Sequence, residues 1–195
     1  MPASNKRNAH LVGLVCCLVI APSLALAQSD YRVVATNKTS TMQKEMQEAA
    51  AGGYRFVAVM GGETSFGGNE LEVIMGRAPD ASARYEYRLL ATSKTSTMQR
   101  ELQEASDAGF DFRAQTVFKS TFGGKEVAAI LERDREADTS KKYEFLLLAT
   151  KKTSTMQKEI AETAGQGYEV IGLAVGETLI GGSELVTIMR RARQQ

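Results

Sequence analysis

The segment T-N-K-T-S-T-M-Q-K-E-M, Thr36 to Met46, is written twice more in the same chain. It returns as T-S-K-T-S-T-M-Q-R-E-L at Thr92 to Leu102 and as T-K-K-T-S-T-M-Q-K-E-I at Thr150 to Ile160. Met42 and Met98 are 56 residues apart, and Met98 and Met156 are 58 apart. Self-similarity on that period restricts the chain to folds made of like units in tandem. The match extends well past the shared segment. Gly53-Tyr54 recurs as Gly109-Phe110 and Gly167-Tyr168, and Phe66-Gly67-Gly68 recurs as Phe122-Gly123-Gly124 and Ile180-Gly181-Gly182.

Each copy reads as strand, helix, strand, strand. An aromatic-led apolar run opens it, at Tyr31 to Thr36, Tyr87 to Thr92 and Phe145 to Thr150. Apolar residues at Met42, Met46 and Ala50, with their counterparts Met98, Leu102, Ala105 and Met156, Ile160, Ala164, lie on one stripe of a helix. The spacing predicts helices over 41–51, 97–108 and 155–165, stopped by Gly53, Gly109 and Gly167 in the left-handed conformation. Two further strands follow, joined at the Gly-Gly pairs. In the third copy Leu146 and Leu148 face one way while Phe145 and Leu147 face the other. With both sheet faces apolar, a single helix cannot cover a unit this small, so the units need each other. The fold expected is α+β: βαββ repeats at 30–79, 84–136 and 142–193, their antiparallel sheets packed together with helices outside in a pseudo-threefold body. In the second copy Asp111, Arg113, Gln115 and Lys119 make one strand face polar, which suits an edge or a solvent-facing strand.

Residues 1–27 stand apart from the repeats. Lys6 and Arg7, the apolar stretch His10 to Leu26 and the small-residue site Ala25-Leu26-Ala27 have the layout of a secretory leader cleaved before Gln28. A retained N-terminal anchor is the alternative. Val15 ahead of Cys16 does not suit a lipoprotein site. The product is then expected outside the cytoplasm, periplasmic or secreted. Cleavage removes Cys16, Cys17 and His10, the only cysteines and histidine. It also takes Lys6 and Arg7, changing the net charge from +1 to −1. Such a chain lacks the basic surface of a nucleic-acid binder, the ligands of most zinc sites, and the commonest nucleophile and base. No cofactor, nucleic-acid partner or membrane span is expected.

The recurring segment sits at a helix start. Ser40 with Gln43, Ser96 with Gln99 and Ser154 with Gln157 have capping-box spacing, and Glu45, Glu101 and Glu159 suit a first helical turn. A cap does not require the preceding lysine. Lys38, Thr39 and Ser40, with Lys94, Thr95, Ser96 and Lys152, Thr153, Ser154, are therefore candidates for a small-anion site at free helix amides. Thr41-x-x-Lys44 is similar to a serine–lysine nucleophile pair, but Arg100 stands where the base would be. Glu70, Glu126 and Glu184 would converge if the units surround an axis, and Arg77, Arg133 and Arg191 would each pair with a glutamate on a neighbouring strand.

Tyr143-Glu144-Phe145, Gly167-Tyr168-Glu169-Val170 and Thr187-Ile188-Met189-Arg190-Arg191 resemble small βαββ domains of unknown function. Those domains read Y-E-Y, then G-W-E-L-V, then a strand ending in Lys-Arg. The resemblance covers each repeat, with Tyr or Phe in the place of Trp, and implies the fold alone. The layout is also similar to dodecin-type βαββ units, whose third strand is central; no flavin site accompanies it. The function expected is that of an exported, non-enzymatic repeat protein with a binding or envelope-structural role. A small-molecule or anion-binding protein is the alternative, and a carboxylate-based enzyme a third.

Overall fold

The computed structural model describes residues 30–64, 68–119, 124–137, 142–178 and 182–193. The leader read at residues 1–27 and most of the hairpin tips lie outside them. The first unit runs β1 Asp30–Thr36, α1 Thr39–Ala51, β2 Arg55–Thr64 and β3 Gly68–Arg77. The second is β4 Tyr85–Thr92, α2 Thr95–Asp107, β5 Asp111–Lys119 and β6 Lys125–Asp134. The third is β7 Tyr143–Thr150, α3 Thr153–Ala164, β8 Glu169–Thr178 and β9 Gly182–Ala192. Each unit forms a three-stranded antiparallel sheet with its last strand in the middle: β1-β3-β2, β4-β6-β5 and β7-β9-β8. This is the βαββ repeat that the sequence periodicity predicts.

The helices start two residues earlier than expected, and each enters through a lysine. Lys38, Lys94 and Lys152 hold the cap position with extended backbone, and no side chain bonds the helix amides. Ser40, Ser96 and Ser154 therefore lie inside the first turn, so the expected capping boxes do not form. Glu45, Glu101 and Glu159 fall in the second turn, and the first turns hold no acidic residue. The shared segment's leading threonine orders the entry instead. Thr36, Thr92 and Thr150 accept, through Oγ1, the N–H of the lysine two residues on, at 3.2, 3.0 and 3.4 Å. The helix ends follow expectation. Gly53, Gly109 and Gly167 have φ of 83°, 84° and 88°, and the next residue's N–H reaches back to Ala49, Ala105 and Thr163 in Schellman fashion.

Every second strand bulges at one place, between Phe56 and Ala58, Phe112 and Ala114, and Val170 and Gly172. Each sheet then presents two faces. On one, Val34, Leu71, Val73 and Met75 pack under Met42 and Met46 of the unit's own helix. Tyr87, Phe118, Ala128 and Ile130, from the opposite face of the second sheet, close the same core. A second core joins the helix side of unit two to Phe145, Val186 and Ile188 of unit three. The units are thus stacked in series, the helix side of each on the bare side of the next. The threefold relation among them is one of sequence and fold, while their packing is linear. The polar face of β5 has a cause other than solvent. β5 is an edge strand, as expected, but Asp111 and Gln115 contact unit three: Arg190 pairs with Asp111, and the Gln115 side-chain oxygen accepts from the Leu173 and Ala174 N–H groups at 2.9 and 2.8 Å.

Candidate functional site

The candidate anion ligands are spread over three separate helix starts. Lys38, Ser40, Lys94, Ser96, Lys152, Thr153 and Ser154 are exposed, and Thr39 and Thr95 are half-buried. At the second start, Thr92, Ser93, Lys94 and Thr95 border a cleft whose floor is Met98, Val127, Leu147 and Val186. It measures about 10 Å³, room for about one water. Lys44, Arg100 and Lys158 make helix-surface pairs with Glu48, Glu104 and Glu162 at 3.8, 3.5 and 3.7 Å. Either cation serves there, so lysine and arginine interchange between copies. Glu70, Glu126 and Glu184 do not gather: among the described residues no three His, Cys, Asp or Glu are placed to hold a metal.

The side chains that do assemble lie at the junctions between units. The first strand of each unit is a sheet edge, whose outward N–H and C=O groups need partners. The preceding helix supplies them through glutamine. Gln43 Oε1 accepts from Leu89 N–H at 2.9 Å, and Gln47 Nε2 donates to the Tyr87 carbonyl at 2.8 Å. At the next junction Gln99 does both, accepting from Leu147 N–H and donating to the Phe145 carbonyl, each at 2.6 Å. Gln103 bonds Phe145 N–H at 3.2 Å and the Tyr143 carbonyl at 3.1 Å. The Gln of K-T-S-T-M-Q is therefore a joint between repeats and not half of a cap. Gln157, the counterpart on α3, is exposed.

Each junction also holds an ionic cluster, with the charges exchanged. At the first, Glu132 is 5% exposed on the bare face of unit two. Arg55 of unit one reaches it at 2.9 Å, Arg113 meets it through Nε at 2.9 Å, and the Tyr87 hydroxyl donates to it at 2.7 Å. Burial pushes the Glu132 carboxyl up, but Arg55, Arg113 and Tyr87 outweigh it and hold the group below its ordinary value. Burial raises the Tyr87 hydroxyl far above the usual tyrosine range. At the second junction Asp111 stands where Arg55 did and Arg190 where Glu132 did, and these two pair. Glu169 holds Arg190 from its other side at 2.8 Å, and Tyr143 stacks on the guanidinium at 4.4 Å.

Arg77, Arg133 and Arg191 are clamps within their units. They pair with Asp30, Glu86 and Glu144, lie over the rings of Tyr54, Phe110 and Tyr168, and bond the carbonyls of Gly52, Ala108 and Gln166 beyond the helix ends. The expected pairing with a strand glutamate forms at Arg133 and Arg191, while Arg77 takes an aspartate, Asp30 of β1, instead. Tyr168 and Arg191 bonds hold Glu144 below the ordinary carboxylate value, and Arg133 does the same for Glu86. The three short motifs thus meet in space as one fastening between sheet and helix.

Two grooves border the outer loops. One of about 440 Å³ lies beside Arg55, Gly76, Arg84 and Tyr85, and one of about 550 Å³ beside Glu144, Gln166 and Arg191. Their arginines are engaged: Arg55 with Glu132, Arg84 with Asp134 and Glu136, Arg191 with Glu144. No helix among the described residues is long and apolar enough to cross a membrane. No protein-family model matches this chain, and no curated protein or solved structure does. Sequence reasoning missed the glutamine joints. Their signal was present in Gln47 and Gln103, which have no capping role and lie one turn beyond Gln43 and Gln99.

Proposed function

We propose that the chain is an exported, non-enzymatic repeat protein with a structural or protein-binding role in the cell envelope or outside it. The observation that carries this reading is where the recurrent polar residues are spent. The glutamines, the arginine clamps and the Glu132 and Arg190 clusters all join strand to helix or unit to unit. A polar set that catalysed or gripped a small substrate would instead converge on one cleft with groups aimed into it. Export rests on the leader layout of residues 6–27, and processing leaves a chain whose first residue is Gln28.

The test is complementation of a deletion in the native host, read as envelope leakage or detergent sensitivity. Native protein recovered from the extracytoplasmic fraction, beginning at Gln28 by mass spectrometry, should restore the phenotype. So should the Lys38→Met, Lys94→Met, Lys152→Met triple variant, whose exposed lysines contribute little to stability. That variant and its parent should show identical melting curves across a millimolar phosphate series. A phosphate stabilisation present only in the parent would move the reading to an anion-binding protein, because a ligand of the folded state raises its melting point. Cytoplasmic protein with Met1 intact would remove the export reading.

A further inference from the structure

Among the described residues, the two internal junctions leave one half-junction unused at each end of the stack. On the bare face of unit one, Tyr31 is 63% exposed, whereas its counterparts Tyr87 and Phe145 are each 2% exposed beneath a neighbouring helix. Ile74 is 38% exposed, whereas Ile130 and Ile188 are 1% and 0%. Val33 and Ile74 are directly opposed in the β1–β3 register, as are Ala35 and Glu72, so these side chains share one face. Met60, opposite Glu72 on β2, extends that face, and Val57 lies with Tyr31 over Gly76. At the other end, Val170, Leu173 and Val175 are exposed on the helix side of unit three. They occupy the positions of Phe112, Gln115 and Val117, which face unit three from unit two. All the exposed large apolar residues among those described lie on these two end faces. Helix α3 also buries only Met156, where α1 and α2 each bury four residues.

We infer that the helix side of unit three docks on the bare face of unit one in a second copy of this chain, repeating the internal junction head to tail. The occupant follows from the repetition. The same pair of faces is already joined twice within the molecule, by equivalent residues in equivalent strands. Gln157 is placed on α3 as Gln99 is on α2, so it would accept from Val33 N–H and donate to the Tyr31 carbonyl of the neighbour, satisfying an edge strand that no other described strand covers. Gly76 stands where Glu132 and Arg190 carry charge, and Glu169 is already held by Arg190, so the charge brought to the new contact is Glu72, half-buried in the place of Ala128 and Val186. Contiguous exposed apolar surface at both ends of one molecule is otherwise a liability. Because the joined faces differ, the contact is heterologous and closes as a ring or continues as a filament. This deepens the structural role proposed above by naming the partner. It is tested on purified protein, so its failure leaves that role standing.

The experiment is sedimentation velocity over a wide concentration series. The parent should associate as concentration rises. Val33→Glu and Leu173→Glu, both at exposed positions and so compatible with folding, should each weaken association roughly a hundredfold by burying an unpaired charge. Mixing the two variants decides the geometry. Each keeps one good face, so head-to-tail docking predicts a heterodimer and nothing larger. Hydrogen exchange should show protection arising on β1 and on α3 and β8 as the parent associates. A parent that stays monomeric throughout, variants that associate like the parent, or a mixture that remains monomeric would each overturn the inference. Protection confined to other elements would do the same.

Discussion

Glutamine, and not serine, is the residue on which the repeated segment turns. Ser40, Ser96 and Ser154 sit within the first helical turn and bond no helix amide as caps. Each change to Ala is expected to alter stability by less than about 0.5 kcal/mol, the range of ordinary surface positions. Gln99→Ala is a different case. It leaves the Leu147 N–H and Phe145 carbonyl facing a closed junction without partners, a cost of about 2–3 kcal/mol for the two groups. Gln157→Ala, the same substitution one repeat later, should be neutral in dilute monomer because that side chain is exposed. Urea midpoints for the five variants provide the check. Equal costs at Gln99 and Gln157 would show that the glutamine acts within its own helix.

At the scale of the element, each sheet is half a core. Phe145, Val186 and Ile188 of unit three are buried by residues of unit two, and the bare side of β8 is fitted to its neighbour as closely. A Cβ at Gly172 would come within 2.9 Å of the Phe112 ring, and one at Gly61 within 2.2 Å of the Val117 carbonyl, so these strand glycines are contact points between sheets. An isolated chain of residues 142–195 would expose that whole face to water. It is expected to lack cooperative unfolding as a monomer, while the full chain unfolds in a concerted transition. Far-ultraviolet circular dichroism during thermal and urea unfolding of both would test this. A monomeric fragment with a sharp transition would show that one sheet and one helix suffice.

For the whole molecule, the exchanged charges order the stack. Arg55 faces Glu132 at one junction and Asp111 faces Arg190 at the other, so joining unit one directly to unit three would set arginine against arginine. The Glu132 cluster also ties stability to pH. Its carboxyl is held below the ordinary glutamate value of 4.5, so the folded state binds fewer protons than the unfolded chain near that pH. The stabilisation is complete above the unfolded value and is lost as pH falls through the folded one. The parent should therefore lose stability steeply below about pH 4.5. Glu132→Gln, already weaker at neutral pH by about 2–3 kcal/mol, should show a shallower acid limb because it removes one depressed carboxylate. The two arginines are partly exposed and can turn to water, which keeps that cost below the value for full burial. Melting points measured from neutral to acid pH give the comparison, and parallel curves for the two proteins would remove Glu132 from the acid response.

Period and pattern in one dimension were enough for the units, their helices and the glycine stops. A 56-residue recurrence, a helical apolar stripe and a left-handed glycine are all local or self-referential, so they need no knowledge of neighbours. Apolar residues on both strand faces likewise showed that the units must pack on something. The sequence by itself did not assign Gln43 or Asp111, since a glutamine three residues after a serine fits a cap, and a charged strand fits solvent. Their partners, Leu89 and Arg190, are 46 and 79 residues away, and only the stacking of sheets brings them within bonding distance. Serial packing, and with it the two open end faces, was decided at that level alone. Three equivalent sequences carry the same information whether they close around an axis or follow one another in a line, and the direction in which each sheet meets the next is a property of the assembled chain.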